Sequence, residues 1–305
     1  MKIIPLAFES LGVRSMCTFV QTDHGILIDP GTSVAPKRFK LPPSLEEITA
    51  LKESRKKIIE YSKKSSIITI SHYHHDHFTP FESNEFLESS SKIAYEIYSG
   101  KKIFLKNPDS NINKNQSSRA KKLLKNLKNV DNIEITYSDN QEFQVGATKI
   151  KFSPALHHGS DYSHLGYIVA VSITFSGEKL LHASDVQGPI SDMALEYILN
   201  ENPDRIILSG PPLYLLGYAL SHEDITKARA NLEKICQKIP HVVVDHHLLR
   251  NQKGLEFIND INEMENVDVM PASCILQKKP LLLESERKTL YKPLKTESSL
   301  DKYLK

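Results

Sequence analysis

An apolar run at residues 67–70 passes directly into Ser71-His72-Tyr73-His74-His75-Asp76-His77. Four ligand-type side chains, His72, His74, Asp76 and His77, fall within six residues of chain. Imidazole nitrogens and carboxylate oxygens are the donors that a borderline divalent cation such as Zn²⁺ takes. A single surface histidine is usually solvated or hydrogen-bonded, but four such donors packed behind one strand call for a cation. One segment cannot enclose an ion, so further donors must arrive from other strand ends. Three apolar runs meet that requirement. The first ends at Phe152 and leads to Pro154-Ala155-Leu156-His157-His158-Gly159. Residues 179–182 lead to Ala183-Ser184-Asp185, and residues 242–244 lead to Asp245-His246-His247.

The elements that must deliver these donors are short β-type runs, rich in Ile, Val, Thr and Phe and bounded by Gly, Pro, Asp or Asn. They fall at 16–22, 25–29, 66–70, 102–105, 133–137, 148–152, 166–175, 179–182, 205–208 and 242–244. Helical patterns lie between them. Ser44-x-x-Glu47 reads as a capping box behind Pro42 and Pro43, opening a helix toward Tyr61. Ala120, Leu123, Leu124 and Leu127 follow the i, i+3, i+4, i+7 spacing of an amphipathic helix, and 193–199 and 225–239 are further candidates. Alternating strands and helices predict a layered α/β domain. One domain over 1–285 is expected, followed by a charged, loosely packed C-terminal tail over 286–305.

Composition narrows the classes. Thirty-nine basic against 37 acidic residues leave a net charge of +2 on 305 residues, which excludes a binder driven by overall positive charge. Forty per cent hydrophobic and 25% charged residues describe an ordinary globular chain. Trp is absent, whereas His occurs 13 times. Cys17, Cys236 and Cys274 are far apart and form no C-x-x-C pair, so neither a disulfide framework nor a thiolate metal site is expected. No stretch has the ~18 apolar residues of a spanning helix, and residues 1–15 lack a signal-peptide pattern. A cytoplasmic protein without a membrane partner is the expectation.

The element H-x-H-x-D-H behind an apolar strand, here His72 to His77, resembles the signature of the metallo-β-lactamase-fold hydrolases. The likeness extends over most of the chain. Ile26-Leu27-Ile28-Asp29-Pro30-Gly31 is similar to the strand and turn before that family's first helix, and the later His, Asp and His follow in the family's order. Glu9 to Ser15, Ser209-Gly210-Pro211-Pro212 and Asp245-His246-His247 most resemble an archaeal branch of metal-dependent hydrolases of uncharacterised substrate. The resemblance implies an αββα sandwich with two divalent ions at one edge, Zn first and Mn or Fe as alternatives. It implies that His72, His74 and one of His157 and His158 hold the first ion. Asp76, His77 and one of His246 and His247 would hold the second, and Asp185 would bridge the two. His158 is preferred because it precedes Gly159, and His246 because it comes first after its strand. His75, His157 and His247 are then neighbours of ligands, with His182 beside Asp185, while His24, His164, His222 and His241 have no metal context.

Such a centre lowers the pKa of bound water and polarises the substrate oxygen, so no protein nucleophile is needed. No G-x-S-x-G elbow or catalytic Cys context is present. Asp76 is the expected catalytic group, positioning water or passing a proton. The flavodiiron members of the superfamily usually carry Glu where His74 stands, which disfavours redox chemistry. Residues 101–128 hold nine basic side chains, Lys101, Lys102, Lys106, Lys114, Arg119, Lys121, Lys122, Lys125 and Lys128, against the single acid Asp109. Lysines lining a groove there would favour phosphates. Leu165-Gly166-Tyr167-Ile168 after His158 is similar to the His…Gly-Tyr stretch of the tRNase Z-like phosphodiesterases. A small-molecule or nucleic-acid phosphodiester is therefore the expected substrate. A lactone or ester hydrolase of the same fold is one alternative, and a non-catalytic, metal-stabilised protein that binds nucleic acid or a partner is another. Tyr214 in the 209–214 loop is a candidate substrate contact.

Overall fold

The central apolar strands present two different faces to two different layers, and that alternation builds the fold. The computed structural model describes residues 1–265 and 267–291. The first sheet runs β1 (Lys2–Phe8), β2 (Met16–Gln21), β3 (Gly25–Ile28), β4 (Ile67–Ile70), β5 (Lys102–Leu105) and β6 (Glu134–Tyr137), in that spatial order. β1 to β3 pair antiparallel and β3 to β6 parallel. The chain then forms β7 (Glu142–Val145) and β8 (Thr148–Phe152), a small ladder of β9 (Leu156–His157) and β10 (Tyr167–Ile168), and β11 (Val171–Phe175). β12 (Glu178–Ser184), β13 (Arg205–Ser209), β14 (His241–Asp245) and β15 (Val269–Met270) complete the second sheet, in the order β15-β14-β13-β12-β11-β8-β7. β12 to β15 are parallel.

Ile26, Ile28, Ile67 and Phe104 of the first sheet meet Ile150, Phe152, Ile173, Ile207 and Val243 of the second in one core. Their sequence neighbours point the other way. Leu27, Ile68, Ile103 and Leu105 pack against Leu51 and Ile58 of α1 (Leu45–Ser62), Ala94 and Ile97 of α2 (Ser91–Tyr98), and Leu123 and Leu127 of α3 (Lys114–Leu127). Ile206, Leu208, Val242 and Val244 pack against Leu195 and Ile198 of α4 (Asp192–Glu201), Leu232 and Ile235 of α5 (His222–Cys236), and Ile258 and Ile261 of α6 (Lys253–Glu265). Strands buried on both faces read as continuous apolar runs, because the period-2 alternation then carries no polar signal. The result is an αββα sandwich. Among the described residues no helix is long and apolar enough to cross a membrane.

Most expected elements occur within a residue or two, and the capping box of Ser44 and Glu47 is present at α1. The run at 166–175 is instead broken in two, because Val169 N–H donates to the Ser71 carbonyl (3.0 Å) and ties this stretch to the histidine loop. β1 was not expected from the sequence. It is an edge strand, where proline is tolerated, and Pro5 borders its register shift.

Of the tail expected over 286–305, residues 286–291 are described, and 286–290 lie in a helix. Two short helices, α7 (Ala272–Ile275) and α8 (Leu283–Leu290), follow β15. Arg287 of α8 is fully buried, donating to both Glu47 oxygens (2.7 and 2.6 Å) and to the carbonyls of Leu41 and Ala35. Charge can lie inside here because each donor has an acceptor. The rest of that expected tail, 292–305, lies outside the described residues. Glu47→Ala removes the Glu47 half of the α1 capping box, leaving the Ser44 cap, and strands the Arg287 guanidinium, so a loss of about 3–5 kcal/mol in urea unfolding is expected; a loss below about 1 kcal/mol would contradict this role.

Candidate metal centre

Parallel strands of both sheets end at one edge, where open α/β sheets place their sites. Asp29 follows β3, residues 71–77 follow β4, Asp185 follows β12, and His246 opens a 3₁₀ turn (His246–Arg250) after β14. Asp29, Ser184 and His246 have φ of +48°, +52° and +56°. Left-handed backbone is costly for such residues, and three instances at one edge are bends that turn each strand end sharply inward.

Asp185 lies at the centre. One of its oxygens is 2.9 Å from His158 Nε2, 3.3 Å from His77 Nε2, 3.3 Å from His247 Nε2 and 3.6 Å from His72 Nε2. Its other oxygen is 3.2 Å from His246 Nε2. His72, His74, His158 and Asp185 bring their ligand atoms within 4.8 Å of one another, as do Asp76, His77 and His246. Asp185, His246 and His247 form a further group, and so do Asp29, His72 and His77.

The far nitrogen of five of the rings is engaged. Nδ1 of His72 meets Ser71 Oγ (2.9 Å), that of His77 meets Asp29 Oδ2 (2.9 Å), and that of His246 meets Glu9 Oε2 (2.6 Å). His158 Nδ1 faces Gln187 Nε2 (3.3 Å), and His247 Nδ1 faces the Tyr214 hydroxyl (3.0 Å). Asp29 also accepts from the Ser71 amide and hydroxyl (2.7 and 2.6 Å). A carboxylate on Nδ1 holds that ring with Nε2 as the lone-pair donor, the arrangement usual behind metal-bound histidines. Two buried atoms in the cluster, His72 Nε2 and Asp185 Oδ1, have no hydrogen-bond partner. Orphaned donors and acceptors of this kind are rare in a core, and a cation between them satisfies both. The residues present therefore fit a metal centre.

Electrostatics agree. Burial would raise the Asp185 carboxyl, but His246, His77, His247 and His158 outweigh it and hold the group well below the carboxylate range. Burial presses the His246 imidazole down, yet Asp185 and Glu9 outweigh it and raise the ring to about 9. Burial and the neighbouring His158 bring His74 down to about 3. Asp76 is lowered: burial opposes, but His77, His246 and Arg250 prevail.

All seven residues singled out in the sequence, His72, His74, Asp76, His77, His158, Asp185 and His246, stand in these groups. His157 does not; it sits in β9 opposite Tyr167. His75 packs at a tilt against Phe78 (ring centroids 5.6 Å apart) and borders the cavity described next. His247, expected only beside a ligand, points its own Nε2 at Asp185, because the 3₁₀ turn swings both neighbouring rings to the same carboxylate. His182 was expected next to Asp185 and instead spans the two sheets, with Nε2 on the Met16 carbonyl (3.0 Å). Arg250 had no expected role. Its guanidinium donates to Glu9 (2.6 Å), Asp76 (3.3 Å) and Tyr214 (3.2 Å), and its position four residues after His246 in a helical turn was the available signal. The basic 101–128 segment does not line the site with lysines. Lys102, Lys121 and Lys122 pair with Glu134, Asp109 and Glu82, and from that segment Arg119 borders the cavity.

The cluster opens into a cavity of about 440 Å³, with His74, Asp76 and Asp185 among its lining and Arg14, Arg119 and Arg250 around it. Fold and site together define a metallo-β-lactamase-fold protein with a His/Asp centre able to hold metal ions. YhfI of Bacillus subtilis, a metallo-β-lactamase-fold protein, has the same fold, with a TM-score of 0.51 at 14% identity over 88% of this chain and 91% of that one. No protein-family model matches the sequence. The chain is 41% identical over 291 residues to a UPF0282 protein of Methanopyrus kandleri, covering 95% of this chain and 99% of that one. It is 44% identical over 292 residues to a UPF0282 protein of Methanocaldococcus jannaschii, covering 95% and 96%. The chain belongs to the UPF0282 family.

The raised His246 has a consequence for the protein stripped of metal by a chelator. The folded state then holds that proton more tightly than the unfolded state does, so the stabilisation is complete below about 6.5 and is lost as pH rises through about 9. Thermal denaturation of the stripped protein should show a falling midpoint over that interval, and a flat or rising midpoint would contradict the assignment.

Proposed function

We propose that this protein is a metal-dependent hydrolase of phosphodiester or other phosphorylated substrates. One observation carries the reading: the donor cluster faces a cavity in which, outside the cluster's own Asp76 and Asp185, the charged lining side chains are arginines among the described residues. A centre with an open cavity side is arranged for chemistry, whereas a purely structural ion is enclosed by its ligands.

Two divalent ions fit the two main donor groups. His72, His74, His158 and Asp185 would hold one, and Asp76, His77 and His246 the other, with Asp185 between them and His247 beside the second. A His-rich set with carboxylates suits Zn²⁺, and Mn²⁺ or Fe²⁺ as well. When bound, such ions supply an activated water and Lewis acidity toward the substrate oxygen. The chain's own part is to hold and orient. Asp76 borders the cavity and is kept ionised, which suits it to hold and orient a water through its carboxylate oxygens. Arg250 holds that carboxylate in place (3.3 Å).

Protein loaded with Mn²⁺ or Zn²⁺ is expected to hydrolyse bis(p-nitrophenyl) phosphate, measured as p-nitrophenolate release. Turnover of lactones without turnover of phosphodiesters would move the protein to the ester-hydrolase alternative. No turnover of either, with metal bound, would favour a metal-stabilised binding protein.

A further inference from the structure

The arginines around the cavity are not equivalent. Arg14 gives Nε and Nη2 to the two oxygens of Glu284 (2.5 and 2.6 Å). Arg250 is tied to Glu9 and Asp76. Both charges are balanced by fixed carboxylates. Arg119, on α3, has one hydrogen bond, from Nη1 to the Tyr73 carbonyl (3.2 Å), and no carboxylate at ion-pair distance among the described residues. Asp76, whose field reaches Arg119, is already held by Arg250. A guanidinium offers five N–H donors in a planar fork, so most of this one is uncommitted. It is also half-buried, so part of its hydration is lost without a counter-charge in return.

Its position adds a second observation. Arg119 and His75 border both the main cavity and an adjoining groove of about 250 Å³. Phe78, Pro80 and Phe81 give that groove an apolar wall, and Ser118 and Asn126 a polar one. Lys122 also borders it, but is paired with Glu82 (3.0 Å). The junction of the two spaces thus holds one unpaired cation.

We propose that Arg119, with His75 beside it, forms a second anion subsite, so that the substrate carries an oxyanion separate from the group that meets the metal centre. The inference deepens the hydrolase reading and rests on it for the identity of the ligand as substrate. The two anionic groups would lie on either side of the junction, with the connecting atoms running from cavity to groove. Guanidinium forks match phosphate and carboxylate oxygens two at a time, which gives direction as well as charge.

Calorimetric titration of the metal-loaded protein with propyl phosphate and with propane-1,3-diol bisphosphate tests this without relying on turnover. The bisphosphate should bind at least about tenfold more tightly, or ~1.4 kcal/mol. In Arg119→Gln the ratio of the two affinities should fall to about one or two. Lys125→Gln removes the same charge from an exposed position on α3 and should keep the ratio. Equal affinities in the wild-type protein, a ratio preserved in Arg119→Gln, or a ratio lost equally in Lys125→Gln would each overturn the proposal. A preserved preference with no phosphodiester turnover would sink the hydrolase reading alone.

Discussion

Asp185 and the five imidazole nitrogens aimed at it set the constraint on which the rest of the structure depends. In a desolvated edge of the sandwich, His72, His77, His158, His246 and His247 bring Nε2 within 3.6 Å of one carboxylate. A carboxylate accepts protons from some of these rings but cannot satisfy all of them, and packed imidazoles cannot all be charged. The conflict appears as opposed protonation, with His246 raised to about 9 while His74 falls to about 3. Bound cations would relieve the conflict, because His72, His74 and His158 in one group and His77 and His246 in the other would give their lone pairs to metal, and the positive charge would balance Asp76 and Asp185. Asp29 and Glu9, both buried, then act through the rings they touch, fixing which nitrogen of His77 and His246 faces inward.

The sandwich exists in the form that such a cluster needs. Parallel β3 and β4 of one sheet and β12 and β14 of the other end at the same edge, so donors distant in sequence arrive within a few ångströms. Positive φ at Asp29, Ser184 and His246 is the local cost of bending those ends inward, and the packed core beneath them absorbs it. Arg250 closes the arrangement from below, joining Glu9 of the first turn, Asp76 of the histidine loop and Tyr214 of the cavity wall. Support of the donors and the shape of the cavity therefore share one side chain.

The histidine loop was legible because its donors are close in sequence, and an apolar strand before them says where they go. Asp185 was legible as the carboxylate behind another apolar strand. Asp29, Glu9 and Arg250 were not, although Asp29 and Glu9 lie in stretches that drew notice. Their roles depend on contacts between residues more than 40 positions apart, such as Asp29 with His77 and Glu9 with His246, which no local spacing encodes. The choice between His246 and His247 was not legible, because the two open a 3₁₀ turn that brings both Nε2 atoms to Asp185. A groove was one reading of the lysines of 101–128, and sequence charge counts cannot show that Glu134 and Glu82 pair with Lys102 and Lys122. The burial of Arg287 was not legible for the same reason, since its partner Glu47 lies 240 positions away.

The metal content of the purified protein, read by plasma mass spectrometry together with anomalous diffraction from its crystals, bears most directly on this account. Two divalent ions per chain are expected, roughly 3.5–4 Å apart and on either side of Asp185. A protein that binds no stoichiometric ion under metal-replete conditions, or binds one away from Asp185, would contradict it.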